Sequence, residues 1–351
     1  MRIVVTGASG NVGTSVVQAL AGDPRVSEIV GVSRRTPSWE NPKTRWVRAD
    51  VASVDLEPLF AGAAAVIHLA WLIQPSRDER ETERVNVLGS RRVFRAAAAS
   101  GAGALVHASS VGAYSHGPKD RAVDESWPVD GIPTSFYSRH KAAAERALSE
   151  VERAHPRLRV VRLRPGLIFK REAGAEIRRL FAGPFLPSQL VRPGLVPVVP
   201  DIPRLRFQAV HSLDVGEAYR LAALDETARG AYNVAAEPVL DPAELARVLG
   251  ARRLPLPAGV LRGLVAATWR ARLQPTPPGW LDLALGVPIM DSTRAREELG
   301  WTPRHTAAEA LLELMGGMRD SAGLDTPPLA PSTSGPLRIR ELLTGIGRKN
   351  P

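Results

Sequence analysis

Short runs of β-branched and aliphatic residues punctuate the first half of the chain: RIVVTG, EIVGVS, RWVRAD, AVIHLA, ALVHAS and RVVRLRP. Between them lie longer stretches that are alanine-rich or carry apolar residues at helical spacing. Runs that lack an in–out alternation suit strands buried on both faces, and their alternation with helices predicts βαβ units in a doubly wound parallel sheet. This α/β unit is expected over residues 1–170, with 207–236 packing back onto it. A stretch rich in proline and leucine then follows, AGPFLPSQLVRPGLVPVVPDIPRLRF, whose prolines exclude a long regular helix and which is expected to wrap over a cleft. Residues 171–206 and 237–318 are assigned to a smaller C-terminal substrate lobe. The remainder, 319–351, is polar and proline-rich at first and reads as a flexible tail, in which LRIRELLTGI suits a short docking helix.

Composition narrows the class. With 351 residues the chain exceeds one small core. Without cysteine there is neither a disulfide framework nor a thiolate metal site, which fits a reducing, cytoplasmic setting. The opening MRIVVTGASG has no charged leader region or cleavage site. AGAAAVIHLAWLI, the longest nearly uncharged apolar run, falls short of the roughly 20 residues a bilayer span needs, so no membrane partner is expected. The formal charge of +10 comes mostly from arginine scattered along the chain. Scatter of that kind argues against a nucleic-acid patch and leaves an anionic small molecule as the simpler partner. No histidine–carboxylate spacing suggests a metal.

Candidate chemistry begins directly after the first apolar run. TGASGNVGTSVVQAL holds glycines at 7, 10 and 13 and then the apolar period of a helix. Glycine lets backbone approach a pyrophosphate, and the helix N-terminus offers unpaired N–H groups and positive dipole, as in a Rossmann-type dinucleotide site. About 20 residues on, an acid would favour NAD(H). Here Ser33 stands in that place and Arg34 and Arg35 follow, so NADP(H) is preferred, with NAD(H) the alternative. Asp50 suits either the adenine amine or a helix cap. Trp71 suits either a cap on the cleft or the core.

The segment YSRHK places Tyr137 and Lys141 on one helical face. An ammonium beside a phenol favours the phenolate and tunes it for proton exchange with an alcohol or carbonyl. Ser110 closes an apolar strand at the edge where ligands bind in open α/β sheets.

Together these motifs resemble the extended short-chain dehydrogenase/reductase family, the NAD-dependent epimerase/dehydratase group. TGASGNVG, AD at 49–50, HLA at 68–70, NVLGS at 86–90, HASSVGAY at 107–114, YSRHK, RPG at 164–166, VHSLDVGEA at 210–218 and STRAREELGWTP at 292–303 follow the family order. The resemblance implies hydride transfer with Ser110, Tyr137 and Lys141 as the catalytic set. It places the cofactor along Gly7, Ser9, Gly10, Asn11, Val12 and Gly13; along Ser33, Arg34, Arg35, Asp50 and Val51; and against Leu69, Ala70 and Trp71. Asn86, Ser109, Tyr137, Lys141, Pro165, Gly166 and Ile168 complete that set. It also leaves open a homodimer through the helices bearing NVLGS and YSRHK.

The sequence departs from the nucleotide-sugar members in two places. No asparagine or Y-G-P follows RPG, and Phe207 stands where an arginine is expected, with Arg204 and Arg206 as neighbouring substitutes. A less polar substrate is therefore expected. The reading is a dinucleotide-dependent oxidoreductase acting on a carbonyl or secondary alcohol; the alternatives are a nucleotide-sugar epimerase or dehydratase with tightly bound NAD, and a non-catalytic dinucleotide-binding regulator.

Overall fold

Strand β1 (Arg2–Thr6) lies inside a seven-stranded sheet with β2 (Glu28–Ser33), β3 (Thr44–Arg48), β4 (Ala65–His68), β5 (Ala104–Ala108), β6 (Arg159–Pro165) and β7 (Gly230–Val234). The order is β7-β6-β5-β4-β1-β2-β3 and every pairing is parallel. This computed structural model describes residues 1–186 and 191–334, together with 340, 343, 346 and 347. The chain winds outward from β1 in one direction, returns to β4 and winds outward in the other. That reversal opens a crevice at the carboxyl ends of β1 and β4.

Why the strand runs are continuously apolar is visible in β1. Ile3 and Val5 pack on one face with Val16, Val17 and Leu20 of α1 (Asn11–Ala21) and with Val215 and Tyr219 of a helix from much later in the chain. Val4 points to the other face, among Val93 and Phe94 of α2 (Ser90–Ala99) and Leu148 of α3 (Phe136–Ala154). Each such side chain contributes about 1.5–3 kcal/mol on burial. The later helix, α4 (Ser212–Leu224), lies closely along α1: a Cβ on Gly216 would sit 2.6 Å from the Ser15 carbonyl oxygen, and the Ser15 and Ser212 hydroxyls are 2.9 Å apart.

Outside the sheet, three two-stranded parallel pairs join distant segments: Leu167–Phe169 with Ala209–His211, Val198–Asp201 with Arg252–Pro255, and Ala122–Val123 with Ile289–Met290. Helix α5 (Ala307–Asp320) starts at a capping box formed by Thr306 and Glu309. It packs so tightly on Arg171 that a Cβ on Gly317 would lie 1.9 Å from the Arg171 carbonyl oxygen. Among the described residues, no helix is long and apolar enough to cross a membrane.

The start of the expected flexible tail is packed against the rest of the protein. Trp39 donates its backbone N–H to the Asp325 carbonyl at 3.0 Å, Arg179 donates to the Pro328 carbonyl at 2.5 Å, and Leu329 is fully buried. The prolines that read as a linker rigidify a strap whose Leu329 reaches the interior. Further on, Arg77 donates to the carbonyls of Ile346 at 3.0 Å and Gly347 at 2.9 Å. Most of LRIRELLTGI lies outside the described residues.

Candidate active site

The turn after β1 uses its glycines in different ways. Gly7 has φ +74°, and a Cβ there would lie 2.6 Å from the Ala70 nitrogen, so glycine is required by the fold. Gly13 is needed too, since its Cβ would meet the Gly7 carbonyl oxygen at 2.3 Å. Gly10 is different: its Cβ would meet protein only at 3.5 Å, an ordinary contact. The space over Gly10 is free for a ligand. No side chain caps α1 and its first turn carries no acid, which leaves the positive end of the helix open.

From this turn runs an open cleft. Gly7, Ser9, Gly10, Ser33, Arg34, Arg35, Asp50, Val51, Leu69, Ala70 and Trp71 line it. The Ser33 hydroxyl donates to the Arg35 carbonyl at 2.9 Å and shapes the turn after β2. Among the described residues neither Arg34 nor Arg35 has an ion pair, and burial together with the neighbouring Arg34 charge holds Arg35 below the ordinary guanidinium range. Asp50 accepts from the Ala52 N–H at 2.9 Å and lies 3.8 Å from Arg84. These features fit a dinucleotide, whose pyrophosphate the uncapped helix end and Gly10 would hold.

Ser110, Tyr137 and Lys141 lie behind Trp71 rather than in the cleft lining, and there Ser110 and α3 are locked together. The Ser138 hydroxyl donates to the Gly112 carbonyl at 2.5 Å and accepts from the Ile132 N–H at 2.6 Å. Gly112 has no side chain to block Tyr137, whose Cε1 would lie 2.8 Å from a Cβ there. Tyr137 is hydrogen-bonded to Ser110, yet burial dominates and pushes the phenol up to about 12. This differs in direction from the expectation that Lys141 lowers it. The reason is geometric: the Lys141 ammonium lies 5.7 Å from the Tyr137 ring centre, donates to the Ala108 carbonyl at 2.7 Å, and stands 3.5 Å over the Trp71 ring. Burial brings Lys141 down to about 7, opposed by the charge of Glu145.

Trp71 connects the two ends, since it lines the cleft and meets Tyr137 edge-on at 6.0 Å. Its indole Nε1 is buried without a partner. Trp280 covers Tyr137 at 4.8 Å and Phe181 meets Trp280 at 5.0 Å, so the wall facing the phenol is aromatic.

Other expected cofactor residues stand behind the cleft. Asn86 clasps Leu72, accepting from its N–H at 2.7 Å and donating to its carbonyl at 2.8 Å, from within a π-helical turn Arg84–Gly89. It therefore buttresses the loop bearing Trp71. The Ser109 hydroxyl turns inward and donates to Glu145 at 2.5 Å. Asn11 donates to the Ile168 carbonyl at 3.2 Å, and its Oδ1 is buried without a partner. Val12 is half-buried beside the core and Pro165 is buried, while Gly166 lets β6 pass Gln208, whose carbonyl would lie 2.5 Å from a Cβ.

Sequence reasoning missed four groups. Glu145, one turn beyond Lys141, pairs with Arg164 at 2.8 and 2.6 Å and is held below the usual carboxylate range despite its burial. Its signal was present in the i, i+4 spacing from Lys141. Glu176, raised to about 7 by burial, and Arg179 also line the cleft, as do Pro327, Pro328 and Thr333 of the strap. Lys170 donates to the Asn11 carbonyl at 2.9 Å and to the Thr14 hydroxyl at 2.6 Å beneath α1. Finally, His211, His305 and Glu313 bring ligand-type atoms within 4.8 Å of one another. His211 Nδ1 accepts from the Leu213 N–H at 3.2 Å, which puts the ring proton on Nε2, toward Glu313 at 3.1 Å. That arrangement is hydrogen-bonded rather than poised for a cation.

The family model described as NAD dependent epimerase/dehydratase matches residues 3–235. The chain belongs to this family. Among the relatives of this epimerase/dehydratase member, an uncharacterized protein of Mycobacterium tuberculosis strain H37Rv is 28% identical over 327 residues. The match takes in 92% of this chain and 31% of that relative's length. dTDP-glucose 4,6-dehydratase of Streptomyces niveus is 27% identical over 348 residues, 94% of this chain and 96% of the relative. A crystal structure of the Thermus thermophilus UDP-glucose 4-epimerase in complex with NAD aligns with a TM-score of 0.67 at 23% identity, covering 92% of this chain and 100% of that one. MoeE5 in complex with UDP-glucuronic acid and NAD aligns at 0.66 with 22% identity, over 92% and 100% of the two chains. At these identities the structural likeness shows the fold.

Proposed function

We propose that this family member is an NADP(H)-preferring oxidoreductase that transfers a hydride between nicotinamide and a carbonyl or secondary-alcohol carbon of a weakly polar substrate. The observation that carries this reading is the convergence of Ser110, Tyr137 and Lys141 beside a cleft built on a glycine turn. The nicotinamide, when bound, supplies or takes the hydride. The chain's own groups handle the proton and the geometry. Tyr137, protonated at neutral pH, donates to the substrate oxygen during reduction, and the Ser110 hydroxyl steadies the same oxygen. Lys141 titrates near 7, so the charge beside the phenol changes within the working range.

Cofactor preference rests on Arg34 and Arg35, two cations at the cleft that await an anion such as a 2′-phosphate. Substrate polarity rests on two arginines that are already engaged. Arg204 donates to the Leu285 and Gly117 carbonyls at 3.0 and 2.9 Å, and Arg206 to the Lys119 carbonyl at 3.0 Å. Neither is free to grip a diphosphate, and the wall over Tyr137 is aromatic.

A second reading, a nucleotide-sugar epimerase or dehydratase with tightly bound NAD, is supported by the dTDP-glucose dehydratase relative and by the NAD in the aligned structures. Net turnover separates the two. Purified protein given NADPH and a panel of apolar ketones and aldehydes should consume cofactor in proportion to substrate. Conversion of UDP-glucose or dTDP-glucose without net cofactor loss, and no turnover on the panel, would replace this reading by the second.

A further inference from the structure

The helix Ala258–Arg270 buries none of its residues. Val260 and Leu264, one turn apart on one stripe, are 50% and 57% exposed, and Leu254 and Leu273 at either end are 55% and 50% exposed. An amphipathic helix of a globular protein turns such a stripe to the core; this one turns it to solvent. Residues 252–273 contain five arginines and no aspartate or glutamate. Arg262 is held by Asp282 at 2.8 Å and Arg253 lies 3.6 Å from Asp201. Among the described residues Arg252, Arg270 and Arg272 have no ion pair. The surface is therefore aliphatic at its centre and cationic at its ends.

This face sits on the rim of the catalytic end of the cleft. Arg77 stacks over Trp269 at 4.3 Å and donates to its carbonyl, and Ser76 donates to the Pro275 carbonyl at 2.6 Å. A few residues on, the same segment supplies Trp280 against Tyr137.

We infer that this face docks on the surface of an anionic lipid bilayer. Aliphatic side chains suit the boundary between headgroups and acyl chains, and unpaired arginines suit anionic headgroups. The charge decides for this occupant: a second copy of the chain would bring the same cations together. Docking of this kind involves no span, so it narrows the expectation of no membrane partner to the absence of a crossing helix. It places the cleft mouth beside the source of an apolar substrate but does not depend on the reaction.

The test is co-sedimentation of the full chain with vesicles of phosphatidylcholine, alone or mixed with phosphatidylglycerol. The mixed vesicles should carry the protein down, and salt should release it. Binding should fall about tenfold or more both in Leu264→Asp and in the double variant Arg270→Glu, Arg272→Glu, with melting temperatures unchanged because all three positions are exposed or at the rim. Failure to bind mixed vesicles, equal binding to both vesicle types, or binding that neither variant weakens would overturn the proposal. So would a concentration-dependent dimer that Leu264→Asp dissolves in the absence of vesicle binding, which would assign the face to a second copy.

Discussion

At the glycine-turn end of the cleft, two arginines stand without an ion pair among the described residues, whereas around Ser110, Tyr137 and Lys141 nearly every polar group is already matched. Among the described residues Arg34 and Arg35 at the cleft form no ion pair, and the first turn of α1 is uncapped. Across the cleft, Lys141 is fixed by the Ala108 carbonyl and the Trp71 face, Ser109 by Glu145, and Glu145 by Arg164. On the proposed function, the first end is completed by charge that a ligand brings. The second is organised in advance, so that little rearrangement is needed when a proton moves.

The most forceful way to break this comparison is Tyr137→Phe. It should lower kcat by about 10²–10⁴-fold while leaving the dinucleotide dissociation constant nearly unchanged, as steady-state kinetics and fluorescence titration would show. Next comes Glu145→Ala, which strands Arg164 in the interior and should cost about 3–5 kcal/mol in urea unfolding. Arg35→Ala, at the open end, should stay within about 0.5 kcal/mol. Equal costs at the two positions would erase the distinction drawn here.

The glycines sharpen it further. Gly7→Ala should destabilise by about 1–3 kcal/mol, from strain at positive φ and a clash with Ala70. Gly10→Ala should fold with near-parent stability and lose dinucleotide affinity instead. The gentlest effect is on pH dependence. Lys141 titrates near 7 in the folded protein and near 10.5 when unfolded, so between those values the unfolded chain binds more protons and stability rises with pH. In Lys141→Met that rise should be shallower, by at most about 1.4 kcal/mol per pH unit, in melts across the window.

Much of the sheet and the turn could be read from sequence because their signals are local. Runs such as IVVT and AVIH are apolar without alternation since both faces of β1 and β4 are covered, and the glycine spacing records contacts within a few residues of itself. What escaped notice is long-range. The two- to four-residue strand pairs outside the seven-stranded sheet join segments that carry no period of their own, such as Val198–Asp201 and Arg252–Pro255. Glu176 and Arg179 reach the cleft from the helical turns Gly174–Ile177 and Arg178–Ala182, just before the proline-rich stretch, where no motif marks them. The strap at Pro327 and Pro328 has the composition of a linker, and only the burial of Leu329 and its hold on Trp39 and Arg179 show that it is packed. For Lys141 the sequence showed which residues meet, but not that burial would outweigh charge in setting their proton affinities.

The central claim, that the open end is completed by a ligand's own charge, is tested most directly by the dissociation constants of NADPH and NADH, measured by fluorescence titration in the parent and in Arg34→Ala. The account predicts tighter NADPH binding in the parent and a preference that falls about tenfold or more in the variant, with NADH little affected. Tighter NADH binding in the parent, or a preference for NADPH that survives both Arg34→Ala and Arg35→Ala, would contradict it.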